Sequence, residues 1–412
     1  MYDQTDSRCT PAAPAQRRSQ AALKPPQTPT QHALRAAGAA LLLRAIAALL
    51  TGLALAIWYP RRNPAAAPIW NHDSLNSHTL LEHIARAGDR GASQRYLPDA
   101  ADHAAFPLYQ WLGGATHSVT GLPGWAAASL VSLVAIIAAA AAFAACLHAW
   151  SPVASDPTQV SRPVWLWLAF PGAALLGWIA PWSLLCALLT ATWLAALHDR
   201  RLLAGALAGL AACTHPLGLA ALPLVLFEPT RAARTLRAWV ALAVAVALPL
   251  TTLLARGCER GCLDAPTTLL ARLHPLHGLQ QLGSDLRHGL GSSVELRAVS
   301  SQPYGDALAR GMLGLAGLLC IITLCALAPT VARRLGPAPA ATCLLIAAAL
   351  LLVPGPVPYV AAPHLVVAAV PAFAIAGYRA AASDAVFLTV AGISAALWGM
   401  VTAGAALWQQ LG

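Results

Sequence analysis

The chain is a succession of long apolar segments, and none of them holds an Asp or a Glu. They run Ala37–Ile57, Trp125–Ala149, Val164–Ile179, Leu184–Leu197, Leu202–Phe227, Ala238–Leu254, Gly311–Ala328, Ala340–Val353, Tyr359–Ala376 and Val386–Trp408. A helix needs about 20 apolar residues to cross the hydrocarbon core of a bilayer. Only 10% of the residues are charged, against roughly 25% in a soluble domain. Ala and Leu dominate the segments, which favours helices over the alternating strands of a barrel. The expected fold is an all-α polytopic membrane protein.

Charge sets the expected orientation. The formal net charge is +10, and Lys24 is the only lysine. The arginines are scattered between apolar segments instead of forming one patch, so no nucleic-acid partner is expected. They read better as orientation signals in a membrane. Residues 1–35 are rich in Pro, Gln, Ser and Thr and basic through Arg8, Arg17, Arg18, Lys24 and Arg35. That composition predicts a disordered cytosolic tail. The first apolar run is too long and starts too late for a signal peptide.

With the N-terminus in the cytosol, the basic turns His198–Arg201, Arg231–Arg237, Arg333-Arg334 and Arg379 belong on that side. They share it only if Leu202–Phe227 enters and leaves on the same side. Thr214-His215-Pro216-Leu217-Gly218 interrupts that segment, and Pro and Gly break helices. Two half-helices meeting at His215 satisfy the charge rule; one long kinked span is the alternative. The expected organisation is a tail over 1–35 and a membrane domain over 36–412, with exterior loops at 59–122 and 256–306. Most of the sixteen acids lie in those loops. Cys146, Cys186, Cys213, Cys320, Cys325 and Cys343 fall in or beside apolar segments and act as small hydrophobes. Cys258 and Cys262 fall in the second exterior loop, where a local disulfide is an option.

A protein whose spans hold no carboxylate must draw a general base from a loop. Asp73 is the first candidate. Leu80, Leu81, Ile84 and Ala85 share one helical face, predicting an amphipathic helix from about Ser74 to Ala87 that lies on the outer leaflet. Asp73 sits at its N-terminus. The plainer reading is an N-cap, but the positive end of a helix also keeps the carboxylate ionised, as a base requires. His72, Asp73, His78 and His83 are close in sequence, yet i/i+5 spacing does not gather the later histidines on one face, and no metal is expected. Arg44, inside the first span, is a costly buried charge of a kind that is often functional, with snorkelling to the cytosolic interface as the alternative.

These residues resemble a known family. Trp70-x-x-Asp73, then Ile84-Ala85-x-x-Gly88, then His103-Ala-Ala-Phe106-Pro107-Leu108-Tyr109 is similar to the first luminal loop of the PIG-V mannosyltransferases. Ala169-Phe170-Pro171 resembles the family's next Phe-Pro. Gly209-Leu210-Ala211-Ala212-Cys213-Thr214-His215-Pro216-Leu217-Gly218 resembles its Gly-Leu-Ala-x-x-Thr-Arg-Pro-x-Gly stretch. His364, with Pro371-Ala-Phe, falls where the family has Arg-Tyr…Pro-x-Phe. The departures are His72 for the family's Trp, Ala180-Pro181-Trp182-Ser183 for its Tyr-Ser-Glu, and His215 and His364 for two arginines.

The resemblance implies a GT-C-type helical bundle that transfers a hexose, with mannose the expectation, from a polyprenyl-phosphate sugar to an acceptor hydroxyl. The reaction inverts the anomeric centre, with Asp73 as general base and no cofactor. It implies a substrate-binding set of His72, Arg90, Arg95, Asp102, His103, Tyr109, His215 and His364. Of these, Arg90, Arg95, His215 and His364 are candidates for the leaving phosphate. The implied partners are membrane lipids, the lipid-linked donor and a glycan or glycolipid acceptor. The expected location is the bacterial inner membrane. Each residue has a plainer role: Arg90 and Arg95 facing headgroups, His215 capping broken backbone, His364 hydrogen-bonded inside the bundle, Tyr109 steering the chain back to the membrane. A non-catalytic relative is the second reading. A transporter is the third, although it should show repeated halves, and none is evident.

Overall fold

The computed structural model describes residues 28–62, 108–122, 124–150, 157–177, 181–226, 235–260, 305–352, 366–380 and 383–408. Among them it is all-helical. The α-helices are α1 (Pro29–Arg62), α2 (Leu108–Thr120), α3 (Gly124–Trp150), α4 (Pro157–Ala169), α5 (Trp182–Leu197) and α6 (Arg201–Thr214). They continue as α7 (Leu222–Leu226), α8 (Thr235–Arg260), α9 (Gly305–Leu335), α10 (Pro337–Leu352), α11 (Val370–Ala380) and α12 (Asp384–Trp408). Two 3-10 helices, Pro171–Gly177 and Pro216–Ala221, interrupt the pattern. Among the described residues, two helical stretches, Ala126–Trp150 and Leu315–Leu335, are long and apolar enough to cross a membrane.

Several boundaries differ from expectation. Helix α1 starts at Pro29, inside the expected tail, because Thr28 and Gln31 cap it reciprocally. The Thr28 N–H donates to Gln31 Oε1 (3.2 Å), and the Gln31 N–H donates to Thr28 Oγ1 (3.4 Å). The expected span Val164–Ile179 is instead α4, which begins in the polar stretch at Pro157, followed by a 3-10 turn from Pro171. Helix α2 occupies the end of the first expected loop.

The basic ends of the helices gather at one end of the bundle, the foot. The His32 and His148 rings lie 5.9 Å apart, placing the start of α1 beside the end of α3. Trp150 Nε1 donates to the Arg334 carbonyl (3.1 Å), and the Arg334 guanidinium stands 5.1 Å from the Tyr378 ring. Arg379 donates to Thr330 Oγ1 at 3.0 Å. Arg162 at the start of α4 pairs with Asp384 at the start of α12.

Helices α6 and α8 run parallel. A Cβ on Gly205 would meet Ala241, and one on Gly209 would meet Val244 and Ala245. Helices on either side of a connection can run parallel only if that connection returns. Residues 216–226 are the return. Arg201, the first residue of α6, donates to the Val225 carbonyl at 3.2 Å. Gly218 folds against the last turns of α6, where a Cβ would lie 2.1 Å from the Ala211 carbonyl carbon, so only glycine fits. The chain therefore enters and leaves on one side, and the long kinked span is not formed.

On α8 the packed face is small and the outward face is large. On α8, Ala241 and Ala245 are buried while Trp239, Val240, Val244, Leu248 and Leu250 are exposed. On α12, Val386, Leu388, Ile393 and Met400 are exposed. Small residues let the backbones of α6 and α8 approach closely, while the wider core is filled by large side chains such as Phe143, Ile136 and Leu176. The buried hydroxyls of Thr190 and Thr342 donate to carbonyls one turn back, at 2.6 and 3.1 Å. Trp167, fully buried, packs edge-on to Phe143 (5.7 Å) and donates to the Val367 carbonyl (2.9 Å).

Candidate functional site at the head of the bundle

The head, opposite the basic foot, is where α5 begins, α6 ends and α3 begins. The Trp182 and His215 rings meet there, and Tyr109 packs against the starts of α3 and α5. Tyr109, near the start of α2, is 4% exposed and packs with Ala128, Val131 and Leu184. Its hydroxyl donates to the Ala128 carbonyl (2.9 Å) and lies 2.8 Å from Ser132 Oγ. That hydroxyl bonds α3, so Tyr109 anchors α2 to it.

His215 is half-buried between α6 and the 3-10 helix, in extended backbone. Its Nδ1 accepts from the Leu217 N–H at 3.2 Å. The capping role expected from the broken segment is therefore real. It also fixes the tautomer: an accepting Nδ1 puts the ring proton on Nε2, which becomes a donor. The His215 ring lies 4.8 Å from the Trp182 ring at 59°. Next to Trp182, Ser183 is fully buried and its Oγ has no hydrogen-bond partner among the described residues.

Trp182, which meets His215, and its buried neighbour Ser183 were not among the residues expected at a site. Their signal was Pro181-Trp182-Ser183, an aromatic and a hydroxyl at the mouth of an apolar segment.

Asp73, His72, Arg90, Arg95, Asp102, His103 and His364 lie outside the described residues, as do the expected helix over 74–87 and Cys262, while Cys258 falls near the end of α8 and not in a loop. Arg44 is placed, and it does not snorkel. Its guanidinium donates to the Ala173 carbonyl (3.0 Å) in the 3-10 turn after α4. The unwound turn leaves carbonyls short of helical donors, and a planar guanidinium supplies one without leaving the bundle.

Comparison with protein-family models, with curated proteins and with solved structures finds no match to this chain.

Proposed function

We propose that this protein is a multi-pass membrane glycosyltransferase, with its N-terminus and basic foot in the cytosol and its head at the exterior face. It moves a hexose, mannose by resemblance, from a polyprenyl-phosphate donor to an acceptor hydroxyl. The exposed apolar side chains of α8 and α12 and the arginine-bearing foot support the membrane placement.

The observation that carries the site is the fold-back at His215. Helix α6 has 14 residues, a rise of about 21 Å, and the hydrocarbon core is about 30 Å thick. His215 thus stops within the outer half of the membrane. Irregular backbone at that depth is tolerated where it lines a protein-walled hollow. The segment 63–107, which carries Asp73, joins the chain at the head through Leu108.

In the proposed reaction Asp73 takes the proton of the acceptor hydroxyl. The acceptor oxygen bonds to the anomeric carbon as the bond to the phosphate oxygen breaks, and the electron pair leaves on the lipid phosphate. The Nε2–H of His215 would donate to that phosphate, where negative charge accumulates. Trp182 would offer a ring face to the sugar. A monophosphate leaving group needs less charge neutralisation than a diphosphate, which removes the main call for a metal.

A second reading, a non-catalytic relative, is favoured by the inward-turned hydroxyl of Tyr109. The deciding experiment incubates the purified full-length protein with membrane acceptor and radiolabelled polyprenyl-phosphate mannose, glucose or a nucleotide sugar. Label transferred from a polyprenyl-phosphate donor supports the enzyme. Label transferred only from the nucleotide sugar, or from none, overturns it.

A further inference from the structure

From Leu108 to Trp150 the chain holds no Asp, Glu, Lys or Arg. Helices α2 and α3 take up almost all of that stretch. Residues Ala126–Trp150 of α3 are long and apolar enough to cross a membrane. Helix α2, at 13 residues, rises only about 20 Å and cannot cross alone.

Helix α2 doubles back along the head end of α3, because only residues 121–123 separate the two. Gly121 ends α2 with φ at +68°, and its N–H donates to the His117 carbonyl at 2.8 Å. At the other end of α2, the Tyr109 hydroxyl meets the Ala128 carbonyl and Ser132 Oγ. Both partners lie in the first two turns of the crossing stretch that begins at Ala126. The start of α2 thus sits beside a part of α3 that is already apolar, not beyond its end.

Leu108, Trp111, Leu112, Ala115 and Val119 recur every three or four residues and form one stripe along α2. The stripe points away from the bundle: Trp111 is 50% exposed and Val119 86%, with Leu112 and Ala115 also exposed. The packed side holds Tyr109 and Gly113. Among the polar residues, Gln110, Thr116 and His117 are half-buried, and only Ser118 and Thr120, near the head, are exposed. A helix on a water-soluble surface turns its apolar stripe to the core and its polar side outward. Helix α2 does the opposite over most of its length.

We infer that α2 is a half-helix embedded in the exterior leaflet, with the stripe from Leu108 to Val119 against lipid acyl chains. Acyl chains fit because the stripe carries no charge and forms a ridge without a groove for one defined ligand. On α3, Val134 is also exposed two residues past Ser132, so the neighbouring helix shows an apolar side chain at a similar depth. The first exterior loop then ends before Leu108 and not at 122. The segment 63–107, with Asp73, is tied to the bilayer at that end. The inference rests on the membrane placement and is independent of any transfer activity.

The test is spin-label accessibility in the full-length protein reconstituted into phosphatidylcholine vesicles. Leu112→Cys, Ala115→Cys and Leu319→Cys, each in a background lacking the native cysteines, carry a nitroxide. Leu319 is exposed on the crossing stretch of α9 and controls for the membrane placement. Melting temperatures matched to the unaltered protein control for folding. Oxygen concentrates in hydrocarbon and a neutral nickel chelate in water. Oxygen should therefore relax the labels at Leu112 and Ala115 several-fold more than the chelate does, as at Leu319. Chelate dominance at Leu112 and Ala115, with oxygen dominant at Leu319, would overturn the inference and leave the membrane placement standing. Chelate dominance at all three would overturn both. Shielding of Leu112 and Ala115 from both reagents would mean that protein covers the stripe, and that too overturns the inference.

Discussion

Arg201 opens α6 and Val225 lies in the last turn of α7, and the guanidinium of one donates to the carbonyl of the other over 3.2 Å. A basic residue at the foot thus fastens the end of a segment that rises to His215 and returns. The segment between them does not cross the bundle, which keeps the arginines before and after it on one side.

That topology predicts a labelling result. Single cysteines replacing Arg200 and Glu228 should react with a membrane-impermeant thiol reagent from the same side, in a background lacking the native cysteines. Reaction from opposite sides would mean the segment crosses the membrane.

Gly218 and Gly205 should not tolerate a methyl group. The Cβ of Gly218→Ala would fall 2.1 Å from backbone of α6, and that of Gly205→Ala 2.3 Å from the Ala241 carbonyl oxygen. Backbone cannot swing aside as a side chain can, so each substitution should cost about 1–3 kcal/mol or more. Thermal unfolding in detergent measures this, and Gly38→Ala, where a Cβ meets nothing within 4 Å, is the neutral control.

Arg44→Met should lower the melting temperature by a few degrees. It removes the donor to the Ala173 carbonyl, and a buried polar group left without its partner costs about 1–3 kcal/mol. Arg44→Lys should recover part of the loss. A higher melting temperature for Arg44→Met would mean that the cost of holding a charge there outweighs the hydrogen bond.

Acid should loosen the foot. The unfolded chain protonates His32 near 6.5, whereas the folded chain resists protonation through burial first, then His148, then Arg35. The unfolded state therefore binds more protons in that window, and stability is lost as pH falls below about 6.5. The other charged groups around this junction, Arg162 and Asp384, are paired with each other. Melting temperatures from pH 7.5 to pH 5.5 should fall less steeply for His32→Gln than for the unaltered protein.

Apolar runs in the sequence located helices but not their ends. They mark where the surroundings are apolar, while a helix continues as long as its backbone hydrogen bonds do. Helix α4 thus starts among Thr158, Gln159, Ser161 and Arg162, residues that a hydrophobicity reading assigns to a loop. The start of α1 was legible in Thr28-Pro29-Thr30-Gln31, a capping box with Pro at the first helical position, yet composition led to a disordered tail. The fold-back at His215 was legible because charge and helix breakers pointed the same way. The His32–His148 contact was not, since it depends on two helices over a hundred residues apart in sequence packing at one end. Likewise, nothing local says that Tyr109 turns its hydroxyl to Ala128 rather than outward.

The direct test of the central claim is the initial rate of sugar transfer from polyprenyl-phosphate mannose by the purified protein and by Asp73→Asn, with matched melting temperatures. The amide keeps the shape and can still cap a helix, but it cannot take a proton. The account predicts a fall of at least 100-fold, as expected for loss of a general base. Equal rates for the two proteins would contradict it.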